Sequence, residues 1–237
     1  MKILNYVLMS LLIIGLAACT STNTTTVQQT EKAKQTTETT QPKPVATTNA
    51  APKPQKKGYN IGDKVADFSL KNIDSKMVSL SDYEDDKGVI LIFTCNHCPY
   101  AVMYEDRIND LHNTFASKGY PVLAINPNDP EVKPEDSMPN MKKRAAEKGF
   151  KFPYLFDDGQ KLYPLFGATR TPEVYLLKND GGKMVVAYSG AIDNNHKDAS
   201  AVTIKYVEDA IEAVVNGKNP DPNFTKAVGC TIKTKKS

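Results

Sequence analysis

The stretch Phe93–Tyr100, FTCNHCPY, sets two cysteines three positions apart, with a histidine between them and a proline straight after. Such a pair works as a redox couple, supplies half of a metal site, or merely packs, and the flanking sequence bears on the choice. Upstream, Gly88–Thr94 (GVILIFT) is an unbroken apolar, β-branched run, the pattern of a strand buried on both faces. Downstream, Pro99 suits the first position of a helix, and Tyr104, Ile108, Leu111 and Phe115 form one stripe on a helix reaching about Lys118, with Gly119 as its stop. The cysteines therefore stand where a central strand hands over to a helix. Carboxyl ends of strands in open α/β sheets are where active sites form.

The remaining elements follow from the same patterns. VADFSL and MVSLSDY alternate as short strands around a turn at Asn72–Lys76. YPVLAINPN reads as a second buried strand, the polar segment after Pro139 as a helix, FPYLFDD as a short strand and QKLYPLFGA as a helical turn. PEVYLLKNDGGKMVVAYSG makes two strands joined by an Asn-Asp-Gly-Gly turn, and Ile204, Val207, Ile211 and Val214 stripe a last helix ended by Asn216-Gly217. Parallel strands alternating with helices, then an antiparallel hairpin and a closing helix, predict an α/β fold with a central mixed sheet flanked by helices.

At a strand-to-helix turn, the first-turn N–H groups and the positive end of the helix dipole favour a thiolate. This reading assigns the thiolate to Cys95, with His97, if protonated, adding to the effect. A stabilised thiolate attacks readily, leaves readily and makes the disulfide more oxidising. As half of a metal site the pair needs two more ligands; there is no second CxxC, and only His112, His196 and Cys230 remain. Carriage of copper or zinc is the version of that reading left open. No metal and no dissociable cofactor is expected for redox work. Cys230, in AVGCTIK, has no obvious partner, and an odd thiol in an oxidising compartment is either a third redox group or a buried apolar residue.

The first nineteen residues, MKILNYVLMSLLIIGLAAC, carry a lysine, then an apolar run, then small residues ending in cysteine, which is a secretory signal too short for a comfortable span. Leu16-Ala17-Ala18-Cys19 resembles the lipobox of bacterial lipoproteins, which implies lipidation at Cys19 and, with Thr20 rather than aspartate next, an outer-membrane anchor facing the periplasm. Residues 20–58 are Thr, Gln, Lys, Pro and Ala with hardly any aliphatic content, a disordered linker spanning roughly 35 Å as a random coil. That linker holds six lysines against two glutamates, so the net charge of +3 belongs to the tether and not to residues 59–237. Nucleic acid is not an expected partner.

Taken together, the buried strand, CNHCP at the helix start and YPLFGATRTPEVYLLKNDGG resemble the thioredoxin superfamily, in its redoxin, peroxiredoxin-like (AhpC/TSA-type) lipoprotein branch, over about residues 61–218. The resemblance implies a thioredoxin-like fold over residues 59–237, a cis peptide at Pro172 beside the thiols, and Thr171 presenting backbone to a substrate chain. It also implies that Cys95 attacks and Cys98, followed by Pro99, resolves, on extracytoplasmic protein thiols or disulfides. The peroxiredoxin side is carried by Cys98-Pro99, although Cys95 stands where that family has threonine and Ala101 where it has glutamate. On that alternative Cys98 attacks a peroxide, Cys95 or Cys230 resolves, and Arg170 or Arg107 polarises the oxidant.

Overall fold

The computed structural model describes residues 57–235. The leader over 1–19, Cys19 and the linker up to residue 56 lie outside the described residues. In chain order the elements are β1 (Ser69–Asn72), β2 (Met77–Ser79), β3 (Gly88–Phe93), α1 (Pro99–Phe115), β4 (Val122–Asn126), α2 (Met138–Lys148), β5 (Tyr154–Phe156), α3 (Tyr163–Phe166), β6 (Arg170–Thr171), β7 (Glu173–Asn179), β8 (Met184–Gly190), α4 (Tyr206–Val215) and β9 (Cys230–Thr231).

Seven strands form one mixed sheet in the order β2-β1-β5-β4-β3-β7-β8, and β6 pairs with β9 in a separate ladder. β3, β4 and β5 run parallel, whereas β7 runs antiparallel to both β3 and β8. Every residue of β3 is buried, as its sequence demands. Ile90 and Ile92 pack with Tyr104, Ile108 and Leu111 of α1, Met141 of α2 and Ile211 of α4. Val89, Leu91 and Phe93, one residue out of phase, pack on the opposite face with Phe166 of α3 and Tyr175 of β7. Phe166 meets Phe93 and Tyr175 edge to face, with centroids 5.5 and 5.0 Å away, contacts worth about 1 kcal/mol each beyond burial.

Several elements depart from the sequence expectation. The first strand begins at Ser69, because only Lys64 upstream finds a bridge, to Val185. α4 starts at Tyr206, which leaves Ile204 ahead of the helix and 43% exposed, so Ile204 is not part of the buried stripe. The β7–β8 hairpin forms as expected, with Gly181 and Gly182 both at positive φ in its turn and a bulge between Leu176 and Leu177. The β6–β9 ladder was not foreseen. Among the described residues no helix is long and apolar enough to cross a membrane.

Candidate active site

β3 ends at Phe93, and Thr94 continues beside β4 through its N–H to the Ile125 carbonyl at 2.9 Å. Pro99 then occupies the first helical position, which makes Cys98 the N-cap of α1, in extended conformation (φ −74°, ψ 121°). Cys95 precedes the cap by three residues. Both sulfurs meet the residue before Pro172: Cys95 Sγ lies 3.1 Å from Thr171 Oγ1, and Cys98 Sγ lies 3.3 Å from the Thr171 carbonyl oxygen. The Thr171–Pro172 peptide is cis. The thiols are buried, with 3% of Cys95 and none of Cys98 exposed, so the pair is screened from solvent.

The two thiols ionise unequally. Cys98 is drawn down to about 4, first by the hydrogen bond from the Cys95 thiol, then against the cost of burial by the Cys230 thiol, the Ala101 N–H and the Cys230 N–H. The Cys98 side chain makes no cap hydrogen bond of full geometry, yet Ala101, third in the helix, aims its N–H at the sulfur as an N-cap acceptor requires. Cys95 is pushed far up, because it donates to Cys98, is buried, and faces the charge of Asp136. The contact to the Thr171 carbonyl favours a protonated Cys98, but several donors on one sulfur outweigh a single acceptor. The expectation places the thiolate at Cys95, whereas these donors are directed at Cys98. The helix start serves the cap residue, and the cap residue is Cys98.

His97 does not reach either sulfur by a hydrogen bond; its Nδ1 stands 2.5 Å from Asp136 Oδ2, and its Nε2 is buried without a hydrogen-bond partner among the described residues. Asp136 is the residue that sequence reasoning missed. Fully buried, it accepts the Asn96 N–H at 2.7 Å and the His97 N–H at 3.3 Å on Oδ1, and Asn128 Nδ2 at 2.8 Å on Oδ2. One carboxylate thus clamps the loop between the cysteines. The only available signal was position: Asn126 ends β4, the strand next to β3, and polar residues just beyond it fall on the same sheet edge as the thiols.

Donor atoms of Cys95, His97 and Asp136 lie within 4.8 Å of one another, a set with the chemistry of a metal site. Both Asp136 oxygens already carry two N–H or ring contacts each, so a cation there would have to displace the loop clamp. His112 takes no part: its Nδ1 accepts the Val122 N–H at 3.2 Å, and burial lowers its pKa. His196 lies against Tyr100, with ring centroids 4.9 Å apart and the planes tilted by 47°. Of the two arginines that are candidates to polarise an oxidant, Arg107 is tied to Asp193 and to the carbonyls of Asn195 and His196, whereas Arg170 donates to the Gly229 carbonyl next to Cys230. A cavity of about 460 Å³ between α1 and the segment 192–208 holds no thiol.

Comparison with known proteins gives a consistent pattern. The AhpC/TSA family profile matches residues 61–188. The thiol-disulfide oxidoreductase ResA of Halalkalibacterium halodurans is 24% identical over 131 residues, 55% of this chain and 69% of the relative. The chloroplastic peroxiredoxin Q of Gentiana triflora is 24% identical over 152 residues, 60% and 64% of the two chains. An uncharacterized conserved protein from Geobacillus kaustophilus superposes with a TM-score of 0.70 at 34% identity, covering 76% of this chain and 94% of the other.

Proposed function

The chain belongs to the AhpC/TSA family, with a thioredoxin-like fold, and from that premise we propose that it works as a thiol-disulfide oxidoreductase whose nucleophile is Cys98. The observation that carries this reading is the convergence of the Cys95 and Cys230 thiols and two backbone N–H groups on the Cys98 sulfur. The Cys98 thiolate attacks one sulfur of a partner disulfide, and the other partner sulfur leaves with the electron pair. Cys95 then loses its proton and attacks Cys98 Sγ in the mixed disulfide. The Cys95–Cys98 bond forms and the partner departs fully reduced. Run backwards, the same steps oxidise a partner dithiol.

This order reverses the expectation that Cys95 attacks first. Trapping distinguishes the two: with Cys95 and Cys230 both replaced by serine, so that neither neighbouring thiol can resolve it, a disulfide substrate should accumulate as a mixed disulfide on Cys98, and Cys98→Ser should trap nothing. A mixed disulfide on Cys95 in the Cys98→Ser protein would overturn the assignment.

A second reading, reduction of a hydroperoxide, is favoured by the complete burial of Cys98 next to Pro99, where a small oxidant has an advantage over a protein disulfide. There the thiolate takes one peroxide oxygen to become a sulfenic acid, an alcohol or water leaves, and a second thiol displaces hydroxide to close the disulfide. The leader and Cys19 support action outside the cytoplasm on protein thiols or disulfides, from a lipid-anchored tether over residues 20–58.

A further inference from the structure

The C-terminal segment is built into the site. β9 runs antiparallel to β6, with Cys230 opposite Thr171 and Thr231 opposite Arg170. Gly229 lies so close to the Thr171–Pro172 peptide that a Cβ there would stand 2.1 Å from the Thr171 carbonyl oxygen. Arg170 donates to the Gly229 carbonyl at 2.7 Å and the Ile232 N–H to the Thr169 carbonyl at 3.1 Å. Farther along, the Lys233 N–H donates to Asn128 Oδ1 at 2.8 Å, and its carbonyl accepts Gln160 Nε2 at 2.9 Å and the Asp129 N–H at 3.0 Å. The Asn128 that holds this tail also holds Asp136, so tail and cysteine loop share one anchor.

The outcome of this pinning is that the Cys230 N–H sits 3.4 Å from Cys98 Sγ, in the cluster that also holds Cys95. An unpaired two-residue edge beside reactive thiols is a ready place for an extended chain to add as a strand. Here the chain's own end fills that place.

We propose that β9 is an internal substrate, seated on the β6 edge that a cysteine-bearing extended polypeptide would otherwise use, and that Cys230 takes over Cys98 from Cys95 in an intramolecular disulfide exchange. The proposal rests on Cys98 being the nucleophilic partner. Starting from the Cys95–Cys98 disulfide, Cys230 gives up its proton and attacks Cys98 Sγ. The Cys98–Cys230 bond forms, the Cys95–Cys98 bond breaks, and its electron pair and one proton end on Cys95. The exchange needs no outside oxidant.

The ionisation of the third thiol fits this sequence. In the reduced protein Cys230 is pushed up to about 11, first by burial and then by its hydrogen bond to Cys98 and the charge there. Once Cys98 is locked in a disulfide, that charge is gone and the Lys233 and Arg170 charges, which favour a thiolate, remain. Cys230 is also the partly exposed member of the three, so the exchange carries the disulfide from a closed pair to the surface.

The test is disulfide mapping of the full-length protein after oxidation with glutathione disulfide and acid quenching. Cys95→Ser should yield a Cys98–Cys230 peptide in most molecules, and the unmodified protein should yield it beside Cys95–Cys98. A Cys95→Ser protein in which Cys230 stays fully alkylatable overturns the proposal. Failure of the underlying reading looks different: the Cys98→Ser protein would carry a mixed disulfide with glutathione on Cys95. Gly229→Val, in the Cys95→Ser background, displaces β9 without touching a thiol. With folding checked by circular dichroism, alkylation of Cys98 by iodoacetamide should speed up about tenfold or more as the sulfur is uncovered. An unchanged rate shows that β9 does not cover the site and refutes its role as seated strand.

Discussion

On the proposed assignment, a thiolate held at Cys98 changes the proton balance of the redox couple. An ordinary cysteine near 8.5 is about 3% thiolate at pH 7, whereas one at about 4 is almost wholly ionised there. Between roughly pH 5 and 8 the reduced pair therefore carries one proton, on Cys95, instead of two. Its oxidation releases one proton for two electrons, and its potential falls by about 30 mV per pH unit instead of about 60. Equilibrated against glutathione, whose thiols stay protonated below about pH 8, formation of the protein disulfide consumes one proton. The equilibrium constant for oxidation should then drop about tenfold for each unit of rising pH.

The sign follows from linkage. Cys98 is depressed in the folded, reduced state, so the stabilisation it gives that state is complete above the unfolded value near 8.5 and is lost as pH falls toward about 4. Rising pH thus favours the reduced form, and falling pH favours the disulfide. The assay is a series of glutathione redox titrations from pH 5.5 to 7.5, with oxidised and reduced protein separated after acid quenching. A constant that does not change with pH over that range would mean two thiols in the reduced pair and would refute the thiolate at Cys98.

Two further outcomes bear on what holds the site. Asp136→Ala strips a buried acceptor from the Asn96 and His97 N–H groups and from Asn128, each left unsatisfied at a cost of about 1–3 kcal/mol. The urea midpoint of the reduced protein should report a loss of about 3 kcal/mol or more, and a loss under about 1 would show that the loop stands without its clamp. Arg144 bonds Glu105 through two nitrogens, at 2.6 and 2.7 Å, with the acid 4% and the base 26% exposed. Arg144→Ala, which leaves the buried carboxylate only the longer Lys148 contact at 3.6 Å, should destabilise more than Glu105→Ala, which leaves a base near water; the reverse order in chemical denaturation contradicts the role of burial.

The legible parts of the fold were those with long periodic runs. β3 and α1 could be placed because six apolar residues in a row and a four-residue stripe leave little choice of structure. β9 had no such signal: two residues, neither alternating nor apolar as a set, form a strand only because Gly229 lets the backbone press against Thr171. Asp136 sits in a polar stretch, where a carboxylate reads as solvated until β4 brings it under the cysteine loop. Ile204 continued an apolar stripe that the backbone does not continue, because the Ile204 N–H bonds the Asn194 side chain at 3.2 Å and holds it in the loop ahead of the helix. The thiolate assignment was different, since its information was present in the sequence. A proline at the first helical position makes the preceding residue the cap, and the cap side chain, not one three residues earlier, receives the first-turn N–H groups.

That distinction governs how the three thiols can cooperate. Cys98 packs with both Cys95 and Cys230 and takes the Cys230 N–H, so the proposed exchange uses it in both disulfides, Cys95–Cys98 and Cys98–Cys230. The first closes a loop that Asp136 already fixes, and forming it asks little of the backbone. The second joins α1 to a strand held by its ladder and by Lys233, and breaking that hold opens both the β6 edge and the Cys98 sulfur. On the proposed reading, a small hydroperoxide would not need the strand to leave, whereas a protein disulfide would. On that reading, access for the two substrate classes would be set by β9, held by its ladder and by Lys233, and not by the CxxC pair itself.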